Sequence, residues 1–104
     1  MVSIVEFHPD ASEEADQARK WYAERSPVAA LSFLAELSRA VERIAESPEI
    51  WPEYESGTRR YVFPPFPYSL IYRCVKARIQ IIAVAHAKRK PGYWKDRKTI
   101  GVSL

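Results

Sequence analysis

A histidine, several arginines and a set of aromatic residues crowd the second half of this chain. His86 closes an apolar run and is followed at short spacing by Lys88, Arg89, Tyr93 and Trp94, while Arg59, Arg60 and Arg73 precede it. These are the residue types that metal-free RNA cleavage uses: a group to activate the ribose 2′-hydroxyl, cations for the pentacoordinate phosphate, and a proton donor for the leaving oxygen. His86 suits acid or base work because an unperturbed imidazole titrates near ~6.5. Arg59, Arg60, Arg73, Lys88 and Arg89 suit phosphate, and Tyr93 can stack or donate a proton. A plainer reading stands beside each. A histidine at a strand end is more often a structural hydrogen-bonding group than a catalyst. Arg59 and Arg60 are neighbours on a strand and point opposite ways, so at most one faces any given site.

Charge is divided unevenly. Residues 1–55 carry five basic side chains against twelve acidic ones, a balance of −7, whereas residues 56–104 carry eleven basic ones against Asp96 alone, a balance of +10. The second half therefore offers a basic face for nucleic acid or for an acidic protein segment. Trp94, beside Tyr93 in the basic stretch after His86, adds a ring that can stack on a base.

Those residues need a scaffold, and 104 residues supply one domain, 1–104, with 93–104 as a basic C-terminal tail. A first strand is expected over 2–7, ended by Pro9. Asp10 followed by Glu13 reads as an N-cap and capping box for a helix over 11–24 with a stripe of alanines. Ser26-Pro27 starts a second helix, with Ala30, Phe33, Leu34, Leu37, Val41 and Ile44 as its apolar stripe, and Ser47-Pro48 ends it. So short a connection folds the helices into an antiparallel hairpin. Residues 49–57 read as a loop anchored by Trp51. Strands follow over 58–63, 68–75 and 78–86, the last two joined by Lys76-Ala77.

The expected architecture is α+β: one antiparallel sheet, its last three strands a meander, with the helical hairpin on one face. In this register Leu70, Tyr72 and Cys74 share the helix-facing side with Ile79, Ile81, Ala83 and Ala85. Ser69, Ile71, Arg73 and Val75 share the far side with Gln80, Ile82, Val84 and His86. Arg73 then lies opposite Gln80, about 20 Å along the strand from His86, too far for both to serve one phosphate. Cys74 is expected to be buried and inert.

No metal cluster, phosphate-cradling glycine loop or paired carboxylates are visible in a chain with three glycines and one cysteine, so no cofactor is expected. The start, MVSIVEFHPDASEE, lacks a basic and apolar leader, and no apolar run is long enough to span a bilayer, which points to the cytoplasm.

Four stretches together resemble the RelE/ParE superfamily of type II toxin–antitoxin toxins: HPDASEEADQARKWYAERSP, RIAESPEIWPEY, RRYVFPPFPYSLIYR and AVAHAKRKPGYW. The similarity runs from Phe7 to about Arg97 and is closest to the ParE-like, plasmid-stabilisation branch. It implies a small toxin neutralised by an antitoxin encoded beside it, with Trp21, Tyr22, Phe33 and Leu37 as the antitoxin-binding residues. Its target would be DNA gyrase in the ParE-like reading. In the RelE-like alternative the chain is a ribosome-dependent mRNA endonuclease using His86, Arg89 and Tyr93. The resemblance departs from the nuclease pattern at Ser69, where those members carry an arginine at the scissile phosphate, and at Phe63-Pro-Pro-Phe-Pro67, which replaces a lysine-rich stretch. Those departures favour the ParE-like reading.

Overall fold

The computed structural model describes residues 4–98. The chain runs through β1 (Ile4–Phe7), α1 (Pro9–Arg25), α2 (Pro27–Glu46), β2 (Glu53–Tyr54), a 3-10 turn (Glu55–Gly57), β3 (Thr58–Val62), β4 (Tyr68–Val75) and β5 (Arg78–His86). Positions 2 and 3 of the expected first strand and 99–104 of the expected tail lie outside the described residues.

Helix α1 begins earlier than the expected capping box allows. Pro9 occupies the first turn, where its fixed φ and missing N–H cost nothing, and His8 is the cap: its Nδ1 accepts the Asp10 N–H at 3.0 Å. Asp10 is thus inside the first turn, where its charge still favours the helix dipole. At the other end Ser26 serves both helices. Its N–H donates to Tyr22 O at 2.7 Å, closing α1, and its Oγ accepts the Ala29 N–H at 3.2 Å, opening α2. With one residue between them the helices fold back on each other, and Tyr22 stacks on Phe33 with centroids 5.5 Å apart.

The sheet is five-stranded and mixed, in the order β1-β5-β4-β3-β2. The expected all-antiparallel sheet needs two corrections. β1 pairs with β5 in parallel, because the whole helical hairpin and the later strands intervene and return the chain in the same direction. Within the expected loop, Glu53 and Tyr54 pair with Arg59 and Thr58 as a short edge strand. The turn that allows this puts Ser56 at φ 58° and Gly57 at φ 72°. Lys76, in the turn between β4 and β5, also takes a left-handed φ of 57°.

The face assignment fails halfway along β5. Ile71 pairs with Ala83 but Tyr72 pairs with Ile81, so Ile82 is an extra residue, a bulge. Before it the expected faces hold, and Arg73 does lie opposite Gln80. Beyond it they exchange: Val84 joins the helix-facing core with Phe33, Tyr61, Phe63, Leu70, Tyr72 and Ile81, while Ala83 joins Ile71, Ile82 and Trp94 on the far face. Cys74 is exposed rather than buried, because it sits near the end of β4 beyond the reach of the helices. Tyr72 fixes the exit of α2 to the sheet, its hydroxyl donating to Pro48 O at 2.5 Å; burial pushes that phenol up to about 12.

Candidate functional site

The residues singled out by type fall into three groups. Arg60, Ser69, Arg89, Lys90 and Tyr93 line one recess of about 110 Å³ at the far face, with Tyr54 and Trp94 in its walls. His86 borders it from the strand end, although the bulge turns it, with Val84, to the helix-facing side rather than the expected far one. Among the described residues no acidic side chain lines the recess. His86 is half-buried, its Nδ1 accepting the Lys88 N–H at 3.0 Å and its ring set edge-on to Tyr68 at 5.0 Å. The Arg60 guanidinium lies 4.7 Å over Tyr54, and that of Arg89 lies 3.8 Å over Tyr93. Lys88 is exposed beside them. Trp94, expected to reach a target, is only 1% exposed and packs under Tyr54 against Ile71, Ile82 and Ala83, so it is not available for contact. The basic tail is therefore anchored at 93–98, because an indole finds an apolar floor there.

Arg59 and Arg73 belong to a second recess at the opposite end of the sheet, of about 440 Å³, with Glu49, Glu53 and Cys74. Arg59 donates to Trp51 O at 2.7 Å and pairs with Glu53 at 3.6 Å. Arg73 Nε is buried without an acceptor. Burial pushes the Cys74 thiol up, which leaves it a poor nucleophile near neutral pH.

A third region is a groove of about 380 Å³ between α1 and the ends of β4 and β5, walled by Trp21, Tyr22 and Tyr68 and bordered by His86 and Arg89. Trp21 is 50% exposed and carries the Arg25 guanidinium 3.6 Å over its ring. Tyr22 and Leu37 are half-buried, but Phe33 is fully buried among Phe63, Phe66 and Tyr68, so it supports a docking surface from beneath and cannot touch a partner. Among the described residues, the large apolar side chains that face solvent on α2 are Val28 and Leu31, which lie off the expected stripe, and Leu34, which was expected within it but is exposed.

Sequence reasoning also missed a polar clamp. β5 outlasts its partner β1, leaving the Val84 N–H and Ile82 C=O on an open edge. The Glu14 carboxylate accepts from Val84 N at 2.9 Å, from the Tyr93 hydroxyl at 2.7 Å and from both Arg97 terminal nitrogens at 2.9 Å. Arg97 in turn donates to Ile82 O at 2.9 Å. Burial alone would raise the Glu14 carboxyl, but the hydrogen bonds from Arg97, Tyr93 and Val84 hold it below its ordinary value. Burial, and then the bond to Glu14, push the Tyr93 phenol well up. Tyr93 is thereby committed to Glu14 and is a poor proton donor to anything else. The one available signal was Glu14 itself, a carboxylate on the buried alanine stripe between Ala11 and Ala18.

The charge division is partly spent inside the molecule. Arg59 pairs with Glu53, Arg78 with Glu6, and Arg97 with Glu14 and Asp10, each a cation of the second half meeting a carboxylate of the first. Among the described residues no group of three or more histidine, cysteine or acidic side chains is placed to hold a metal, and no helix is long and apolar enough to cross a membrane.

Residues 5–91 match the family model described as the ParE toxin of the type II toxin–antitoxin system parDE. A search of curated protein sequences finds no match. Among solved structures, the fold is similar to a chain of the chromosomal ParDE toxin–antitoxin system from P. aeruginosa, with a TM-score of 0.72 and 18% identity over 82% of this chain and 96% of that one. At that identity the likeness speaks for the fold.

Proposed function

From the premise that this chain belongs to the ParE toxin family of type II toxin–antitoxin systems, we propose that it arrests growth in the cytoplasm by binding an essential target, DNA gyrase, and that an antitoxin encoded beside it holds it inactive. The family match over residues 5–91 carries this reading. Binding is favoured over catalysis by Tyr93, whose hydroxyl is spent on Glu14, and by Ser69, a neutral group where nuclease relatives place a phosphate-binding cation. The antitoxin segment seats against exposed Trp21 and half-buried Tyr22 and Leu37, and extends over Val28 and Leu31. Apolar anchors of this kind, set in a groove, are where binding energy concentrates.

One observation favours a second reading. His86, Arg89, Lys90 and Arg60 converge on a single acid-free recess, the arrangement a ribosome-dependent mRNA endonuclease needs for phosphate. The two readings separate when the chain is expressed without its neighbour and DNA and protein synthesis are followed independently. Replication arrest with intact mRNA supports target binding. Early loss of translation with cleaved mRNA, abolished by His86→Ala, overturns it in favour of the nuclease.

A further inference from the structure

Beside the far-face recess, with which it shares Arg60, the outer edge of β3 holds a recess of about 390 Å³ whose charged lining is cationic. Arg43 from α2 and Arg60 from β3 border it, Trp51, Tyr61 and Pro64 wall it, and no carboxylate lines it. Among the described residues, Arg43 meets only the Tyr61 hydroxyl, at 3.5 Å, and Arg60 only the face of Tyr54. The nearby Arg59 already has its carboxylate in Glu53, so these two guanidiniums are the ones left with charge to satisfy at this edge. Trp51, packed edge-on against Tyr61 at 4.6 Å, keeps its indole N–H without an acceptor.

The backbone here is open as well. Phe63 N–H donates inward to Tyr68 O, and Arg60 N–H donates outward to Pro52 O at 3.0 Å. Main-chain groups alternate along a strand, so the Val62 N–H also points outward, past the point where β2 has ended. Val62 itself is 52% exposed. A short edge with an unused donor is a template for an added strand.

We propose that this edge binds an extended acidic peptide segment, which pairs its main chain with Val62 and presents one carboxylate to Arg43 on the helix-facing side and another to Arg60 on the far side. Guanidinium groups suit that role because their planar fork matches a carboxylate's two oxygens. A nucleic-acid strand fits less well. It needs a continuing path of cations, whereas Glu42 and Glu46 share the last turns of α2 with Arg43. The proposal does not depend on which target the toxin arrests.

The test uses the full chain and, as probe, an acetylated and amidated hexapeptide of glutamate, whose carboxylates reach both faces when it is extended, followed by amide and indole NMR. Saturable shifts of the Val62 amide and the Trp51 indole are expected. An otherwise identical glutamine peptide should bind about tenfold more weakly, as should the glutamate peptide to Arg43→Gln/Arg60→Gln, whose exposed positions leave the melting temperature in place. Shifts absent at Val62 and Trp51, equal binding of the glutamine peptide, or preferential binding of oligothymidylate at this edge would each overturn it.

Discussion

The two faces of the sheet are built on different physics. The helix-facing side is held by a continuous aromatic cluster, with Phe33 touching Tyr22, Phe63, Phe66 and Tyr68 and no charge among them. The far side has one large apolar plug, Trp94, over Ile71, Ile82 and Ala83, and the segment that carries it is fastened at the sheet edge by Glu14, Tyr93 and Arg97. The first face supplies global stability through packing. The second is a covering secured at two points, one apolar and one ionic, and its attachment answers to acid as the first does not.

Truncating Phe33 to alanine should give the largest loss, about 3–5 kcal/mol out of a total of roughly 5–15, read as a melting temperature lowered for the whole domain. Trp94→Ala should cost about 3 kcal/mol or less and act locally: amide protection is lost in residues 87–98 while β4 stays protected. Equal loss of protection on both faces would show that the far side is not a separate unit. Glu14→Gln should cost about 1–3 kcal/mol, because it leaves Arg97 and the β5 edge poorly satisfied. The sign with pH follows from its lowered folded-state value: the Glu14 contribution is present above 4.5 and is lost as pH falls through and below it. Wild type and Glu14→Gln should therefore converge in stability on acidification, measured by denaturant unfolding across pH 7 to 3. The smallest effect is at Cys74, which a thiol reagent should label in the folded protein, faster as pH rises, with no change in stability.

What could be read from the sequence was local. Ser26-Pro27 and Ser47-Pro48 mark α2 because a hydroxyl cap and a proline act within a turn of themselves, and β4 and β5 follow from runs of β-branched and aromatic residues. Even locally, two signals in competition misled: Asp10 looks like a cap, yet Pro9 moves the helix start so that His8 takes that place. What stayed hidden was long-range. Glu14 and Arg97 are brought together only by tertiary folding, the parallel pairing of β1 depends on the route of the whole chain, and the burial of Trp94 depends on a floor made by β4 and β5. For the site the sequence named suitable residue types but grouped them loosely. His86, Arg89 and Tyr93 share a recess, Arg59 and Arg73 do not join them, and Phe33 and Trp94 are core.

Ile82 sets the handedness of everything downstream of it. A strand is a two-stroke rhythm, and one additional beat at this position inverts the phase for Ala83 through His86. Deleting that single isoleucine would leave charge untouched and composition nearly so, yet it would turn the imidazole to the opposite side and withdraw the alanine step on which the indole rests. Relatives that differ in length by one residue here would thus show their partners mirror-placed chemistry from nearly the same letters.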